Sequence, residues 1–222
     1  MNIENVYAWG SENKSQVERL VIMLHGVGSN GQDLMSLAPY LAEGLPNTLF
    51  LSPDAPFPCD MVPEGYPNSF QWFSLQDRDP DVMLLGVESV FPILEKFIDE
   101  KLAEFEVAPE KLVLMGFSQG TMTALYAAPR LKHRIGGVLG YSGALLNDGS
   151  SVESGLHDIP LRLIHGEADD VVPVEAWHQA KEMLDAAGFT NVTGQTQAGL
   201  GHSLDQDGVD SGGEFLMRVF MP

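Results

Sequence analysis

Leu112-Val113-Leu114-Met115-Gly116-Phe117-Ser118-Gln119-Gly120-Thr121-Met122-Thr123-Ala124-Leu125 is the stretch on which the fold turns. Its apolar start, residues 111–115, has the length and composition of a buried strand, and residues 121–128 can form a helix. Between them lies a G-x-S-x-G turn. A serine at the tip of so tight a strand-to-helix turn is strained, and bulky neighbours two residues away would clash. Glycines at both flanks remove the clash, while the start of the following helix aims amide N–H groups at developing negative charge. An ordinary Gly-Ser turn carries the same letters. The strand–turn–helix setting is what makes Ser118 a candidate nucleophile.

Working outward, short apolar runs alternate with amphipathic stretches, the pattern of parallel strands joined by helices. Residues 19–24 predict a strand ending in His25-Gly26-Val27-Gly28. A helix over 32–43 should stop at Gly44 and Pro46, and 48–51 should be a second strand. Pro53, Pro56, Pro58, Pro63 and Pro67 force a long loop over 53–71. That loop and its exit carry Phe57, Met61, Trp72 and Phe73. We expect them to contact substrate, although apolar residues in a loop can equally pack on the core. Asp79-Pro80 has the form of an N-cap with proline at the first helical position, opening a helix to about Phe105 that Pro92 would kink or break. Further strands are expected at 135–141, 161–165 and near Val192, with helices at 174–187 and about 210–220. The sheet should be mostly parallel, with right-handed crossovers.

The 222 residues suit one domain spanning 1–222, with enough chain to bury a substantial core. No apolar run has the length of a membrane span. The N-terminal residues lack the basic start and apolar stretch of a signal peptide, and the single cysteine, Cys59, makes no internal disulfide. These features favour a cytoplasmic location. A formal charge of -19 repels phosphates and argues against nucleic-acid binding.

Serine is a weak nucleophile near neutral pH and needs a positioned base. Of the six histidines, His133 and His157 precede predicted strands, His178 lies within a helix, and His25 and His165 end strands ahead of the predicted acid. His202, in Gly199-Leu200-Gly201-His202-Ser203, follows the last strand and precedes the last helix, as the order Ser…Asp…His requires. The acid should follow the strand ending at His165. Asp169 and Asp170 both qualify by spacing, and Glu167 with these two offers no histidine or cysteine spacing for a metal. For the oxyanion, the glycine-rich loop supplies Val27 N–H and the residue after the nucleophile supplies Gln119 N–H. His25 is then a structural residue that hydrogen-bonds the loop. A phosphate-binding glycine loop is the competing reading, but its G-x-G-x-x-G spacing is incomplete.

Together, Leu24-His25-Gly26-Val27-Gly28, Gly116-Phe117-Ser118-Gln119-Gly120, the run from His165 to Pro173 and Gly201-His202 resemble the phospholipase/carboxylesterase family, which includes the acyl-protein thioesterases. Ser52-Pro53-Asp54-Ala55-Pro56 with Gln71-Trp72-Phe73 resembles that family's substrate loop. The resemblance implies an α/β-hydrolase fold without a large cap and a catalytic set of Ser118, Asp169 and His202. It favours Asp169 as the first Asp of an Asp-x-x-Val-Pro run. An oxyanion pair matching Val27 and Gln119, and a homodimer, are further expectations it brings. The glycine loop departs from it at Ser29-Asn30, where relatives often carry an acidic residue, which bears on substrate preference at the mouth.

The expected activity is hydrolysis of carboxylic esters, thioesters or lysophospholipids through an acyl-enzyme, with no cofactor or metal. Its substrate is a small-molecule acyl ester or thioester carrying an apolar acyl group. A non-catalytic α/β-hydrolase-fold binding protein is the alternative, since fold does not guarantee chemistry; the intact Ser118, Asp169 and His202 set speaks against it.

Overall fold

A computed structural model describes residues 2–11, 13–63, 65–146 and 156–221. In chain order the main elements are β1 (Val6–Trp9), β2 (Arg19–Leu24), α1 (Gly31–Met35), α2 (Ala38–Leu41), β3 (Thr48–Pro53), β4 (Phe57–Pro58), β5 (Phe70–Gln71), α3 (Pro80–Phe105) and β6 (Leu112–Phe117). They continue with α4 (Gln119–Ala127), β7 (Gly137–Tyr141), β8 (Leu161–Gly166), α5 (Glu175–Ala186), β9 (Val192–Gln197) and α6 (Gln206–Phe220). Seven strands form one sheet in the order β1-β3-β2-β6-β7-β8-β9, parallel except for the antiparallel edge pair β1–β3. This is the α/β-hydrolase fold that the strand–helix alternation predicts.

Period-two alternation sorts the strand residues between two layers. Leu20, Ile22 and Leu24 of β2 and Leu112 and Leu114 of β6 pack with α3 and α4 on one face. Val21, Met23, Val113 and Met115 point the other way, toward Leu34, Leu41, Phe215 and Leu216 of the helices on the opposite face. Because both faces are covered, the central strands have no polar side, which is why they appear in sequence as unbroken apolar runs.

Several elements differ from expectation for local reasons. The helix predicted over 32–43 is two short helices, the second with Pro39 in its first turn, where a missing N–H costs nothing. Pro92, by contrast, lies inside an uninterrupted α3. Asp79 caps that helix through Asp81 N, as expected. The last helix begins earlier than predicted, capped by Asp205, whose carboxylate accepts from Gly208 N at 2.8 Å. Strand β1 and the two-residue strands β4 and β5 were not expected at all. No helix among the described residues is long and apolar enough to cross a membrane.

One contact sets the relation between the two central elements. The first turn of α4 presses on the end of β2 so closely that a Cβ on Gly120 would overlap the Leu24 carbonyl oxygen. Gly120→Ala is therefore expected to destabilise the fold by on the order of 3 kcal/mol. Gly213→Ala in α6, whose added Cβ would find its nearest atom at 3.8 Å, should be neutral or mildly stabilising. Urea denaturation of the two variants checks this; equal effects would contradict it.

Candidate active site

Ser118 sits between β6 and α4 with φ 53° and ψ -117°, a conformation that L-residues rarely adopt and that costs on the order of 1–3 kcal/mol. Three interactions hold it there. Ser118 N donates to Tyr141 O at 2.9 Å, and Ser118 O accepts from Thr121 N and Met122 N at 3.0 and 3.2 Å. Thr121 Oγ1 in turn donates to Tyr141 O and accepts from Tyr141 N, tying the turn to β7. A Cβ at Gly116 would run into Thr121 N, so the flanking glycines are needed for the reason the sequence suggests.

The loop after β2 comes up against this turn. A Cβ on Gly26 would stand 3.3 Å from Ser118 Cβ. Among the described residues, neither Val27 N–H nor Gln119 N–H donates to a protein acceptor. His25 explains how the first of these is aimed. Its buried imidazole accepts at Nε2 from Ala55 N at 3.0 Å, and its Nδ1 lies 2.7 Å from Gly26 O. Since a backbone amide can only donate, Nε2 is unprotonated and Nδ1 carries the proton given to Gly26 O. That bond fixes the Gly26–Val27 peptide plane, and the N–H of a trans peptide points opposite to its C=O. Burial lowers the His25 pKa from its ordinary 6.5, outweighing the Gly26 carbonyl and the Asp54 and Asp33 carboxylates that raise it. His25 is thus neutral and structural, as the sequence suggests.

On the far side, Asp169 and His202 come together. His202 Nδ1 lies 2.7 Å from Asp169 Oδ2, and the Asp169 side chain is fully buried. Asp169 Oδ1 accepts from Val171 N and Val172 N at 2.9 and 2.8 Å. Burial pushes the Asp169 carboxyl upward, but the bonds from His202, Val172 and Val171 together outweigh it and leave the acid below the usual range. An ionised Asp169 keeps the proton on Nδ1 and leaves Nε2 of His202 free to accept one. Among the described residues Nε2 has no hydrogen-bond partner. Phe117, the residue before Ser118, packs its ring 5.0 Å from that of His202. His165, also buried, has its Nε2 2.7 Å from Val172 O and 3.4 Å from Asp169 Oδ2, so it braces the acid loop. Asp170 is exposed, and among the described residues the carboxylate bonded to His202 is that of Asp169.

The loop carrying His202 is secured at both ends. Gln197, last in β9, bonds Asp205 at the cap of α6 through its side chain. Ala168 N donates to Leu200 O at 2.9 Å, joining the histidine loop to the acid loop. Nothing in the spacing of Gln197 and Asp205 marks them, because each belongs to a different element and only the fold joins them.

The long proline-rich segment is a strap rather than a free flap. Gly28 N donates to Phe70 O, and Phe70 N donates to Ser29 O. Trp72 Nε1 donates to His25 O, Trp72 N to Gln119 Oε1, and Gln119 Nε2 to Phe73 O. The strap and α3 line an open, mostly apolar cavity of about 1010 Å³ with Asp60 in its wall; Ser118, Asp169 and His202 are not among its lining residues. Of the four expected substrate contacts, Phe57 and Phe73 line it. Trp72 does not: it is fully buried beneath the site, its N–H satisfied by His25 O. Met61 is 49% exposed and also outside the lining. The indole that suggested Trp72 as a ligand contact instead ties the strap to His25 O, at the start of the glycine-rich loop.

A sharp strand-to-helix serine, an acid and a histidine after later strands, and all of them at the carboxyl ends of one parallel sheet, define an α/β-hydrolase. The phospholipase/carboxylesterase family profile matches residues 8–219. Acyl-protein thioesterase 1 of Gibberella zeae is 27% identical over 225 residues, covering 94% of this chain and 93% of that protein. Esterase YpfH of Escherichia coli K12 is 29% identical over 193 residues, covering 85% of this chain and 77% of its own. The crystal structure of esterase PE8 superposes with a TM-score of 0.83 at 32% identity, covering 96% and 97% of the two chains. The chain belongs to the phospholipase/carboxylesterase family and is a serine hydrolase of carboxylesterase or thioesterase type.

The buried neutral His25 has a consequence for stability. On unfolding it regains its ordinary 6.5, so below that pH the unfolded chain binds a proton that the folded chain does not. Stability therefore falls as pH drops below about 6.5, by up to about 1.4 kcal/mol per pH unit. His25→Gln should be less stable than the parent at pH 7.5 but lose less stability between pH 7 and 5.5. Urea titrations of both proteins across that range check the sign; parallel slopes would contradict it.

Proposed function

We propose that the protein hydrolyses carboxylic esters and thioesters by transferring the acyl group to Ser118, with His202 as base and acid and Asp169 as its orienting carboxylate. The observation that carries this reading is the 2.7 Å bond from His202 Nδ1 to Asp169 Oδ2, made at the sheet end that also holds the strained Ser118. It leaves Nε2 as the nitrogen that can take a proton.

In the first half-reaction His202 Nε2 removes the Ser118 hydroxyl proton as Oγ bonds to the carbonyl carbon. The carbonyl π electrons move to oxygen, and the resulting oxyanion accepts from Val27 N–H and Gln119 N–H. Collapse re-forms the carbonyl and breaks the bond to the leaving oxygen or sulfur, which takes the proton from His202. Water then repeats the sequence on the acyl-enzyme, releasing the carboxylic acid and restoring Ser118. The imidazolium formed in each half is stabilised by Asp169, whose lowered pKa keeps it ionised.

The cavity under the strap supports an apolar acyl group. Phe57 and Phe73 line it together with Val62, Tyr66, Phe70 and Val82, and each buried methylene contributes about 0.8 kcal/mol. Hydrolysis of p-nitrophenyl acetate, butyrate and octanoate by wild type and Ser118→Ala tests both parts. The expected result is a loss of at least about a thousandfold in the variant, with wild-type kcat/KM rising with chain length. An inert wild type, or a variant that matches it, would overturn the proposed mechanism, and a preference for charged acyl groups would overturn the acyl assignment.

A further inference from the structure

The proton given back by His202 fixes where the leaving group must go. Its oxygen or sulfur has to meet Nε2, so the alcohol or thiol portion lies on the imidazole side of Ser118 while the acyl chain lies under the strap. A second cleft, of about 320 Å³, shares no lining residue with the strap cavity and reaches Ser203, the residue after His202. It adjoins the site through three chain neighbours of working groups. Gly26 precedes Val27, Phe117 precedes Ser118, and Ser203 follows His202.

This cleft combines apolar walls with a carboxylate in a small space, whereas the strap cavity is larger and mostly apolar, with Asp60 as its lining carboxylate. Phe117 and the leucines Leu34, Leu37 and Leu204 give it apolar walls. Its charge is the carboxylate of Asp33, since His25 is buried and neutral. Asp33 Oδ2 accepts from Asn30 Nδ2 at 2.9 Å and from Ser29 Oγ at 3.3 Å. Among the described residues, Oδ1 accepts no side-chain hydrogen bond and no lysine or arginine pairs with the group. The two residues that break the family resemblance, Ser29 and Asn30, are thus the ones that hold this carboxylate at the mouth. An aromatic ring, apolar walls and an unpaired carboxylate together match a compact alkylammonium group, which is apolar at its periphery and positive at its centre. A formal charge of -19 reinforces attraction of cations and repels polyanionic carriers.

We propose that this cleft is a leaving-group subsite for esters and thioesters whose alcohol or thiol portion carries an organic cation, with Asp33 as its specificity-determining residue. The proposal rests on the acyl-transfer reading above. It is tested with two butyrate esters of equal shape, butyrylcholine and the uncharged 3,3-dimethylbutyl butyrate. In wild type the ratio of kcat/KM, cationic over neutral, should be about three- to tenfold at low salt and shrink as NaCl is added. Asp33→Asn should bring the ratio near one, Asp33→Glu should keep most of it, and Glu104→Gln, a surface acid on α3, should not change it. A wild-type ratio of one, or a ratio that survives in Asp33→Asn, would overturn the subsite. A wild type inert toward both esters and toward p-nitrophenyl butyrate would instead overturn the acyl-transfer reading, and the subsite with it.

Discussion

The close approach of α4 to the end of β2 is the constraint on which the rest of the site depends. With no side chain at Gly120, the first turn of the helix rests on Leu24 and His25 carbonyls, which sets the Gln119 end of α4 against the loop that carries Val27. The same approach sets Ser118 in its strained turn, and bonds to Tyr141 of β7 and Thr121 of α4 oppose its relaxation. The strain is local, whereas what compensates it is spread over three adjacent parallel strands, β2, β6 and β7. A turn of this kind is stable only inside a sheet that is already assembled.

Around that point the protein uses side chains to hold backbone groups in place. His25 bonds Gly26 O and Ala55 N in one tautomer, Trp72 bonds His25 O, and Gln119 spans Trp72 and Phe73. Each of these polar groups is buried, and each has its partner, so none carries the penalty of an unsatisfied donor or acceptor. The network also joins the cavity under the strap to the loop after β2 and to the start of α4, because the strap is bonded to both. On the opposite side Asp169, His165 and the Gln197–Asp205 pair do the same for His202. The two clefts present different surroundings to a substrate: a large, mostly apolar and aromatic wall with Asp60 under the strap, and Phe117, leucines and the Asp33 carboxylate in the second cleft.

How much of this the sequence carried varies with the physics of each part. Central strands such as Leu112–Phe117 and Arg19–Leu24 were legible because burial on both faces leaves an apolar run. Val6–Trp9, an edge strand with half its residues exposed, has no such signature, and the two-residue strands Phe57–Pro58 and Phe70–Gln71 are too short for any period. Ser118 was legible from its flanking glycines, and His202 from its order in the chain. The choice of Asp169 over Asp170 came from family resemblance, since both fit the spacing and only the fold shows which one meets His202. Trp72 misled because a loop aromatic resembles a ligand contact; its role depends on His25 O, 47 residues away. The clamp of Gln197 on Asp205 left no mark in the sequence for the same reason.

The central claim, that Ser118 is a nucleophile activated by its surroundings, is tested most directly by a fluorophosphonate, which phosphonylates activated serines while ordinary serines stay unmodified. Intact-protein mass spectrometry followed by peptide mapping gives the number and place of the adducts. The account predicts one phosphonyl group per chain on the peptide that contains Ser118, and none on Ser118→Ala. A folded wild type that takes no adduct, or takes it on another residue, would contradict the account.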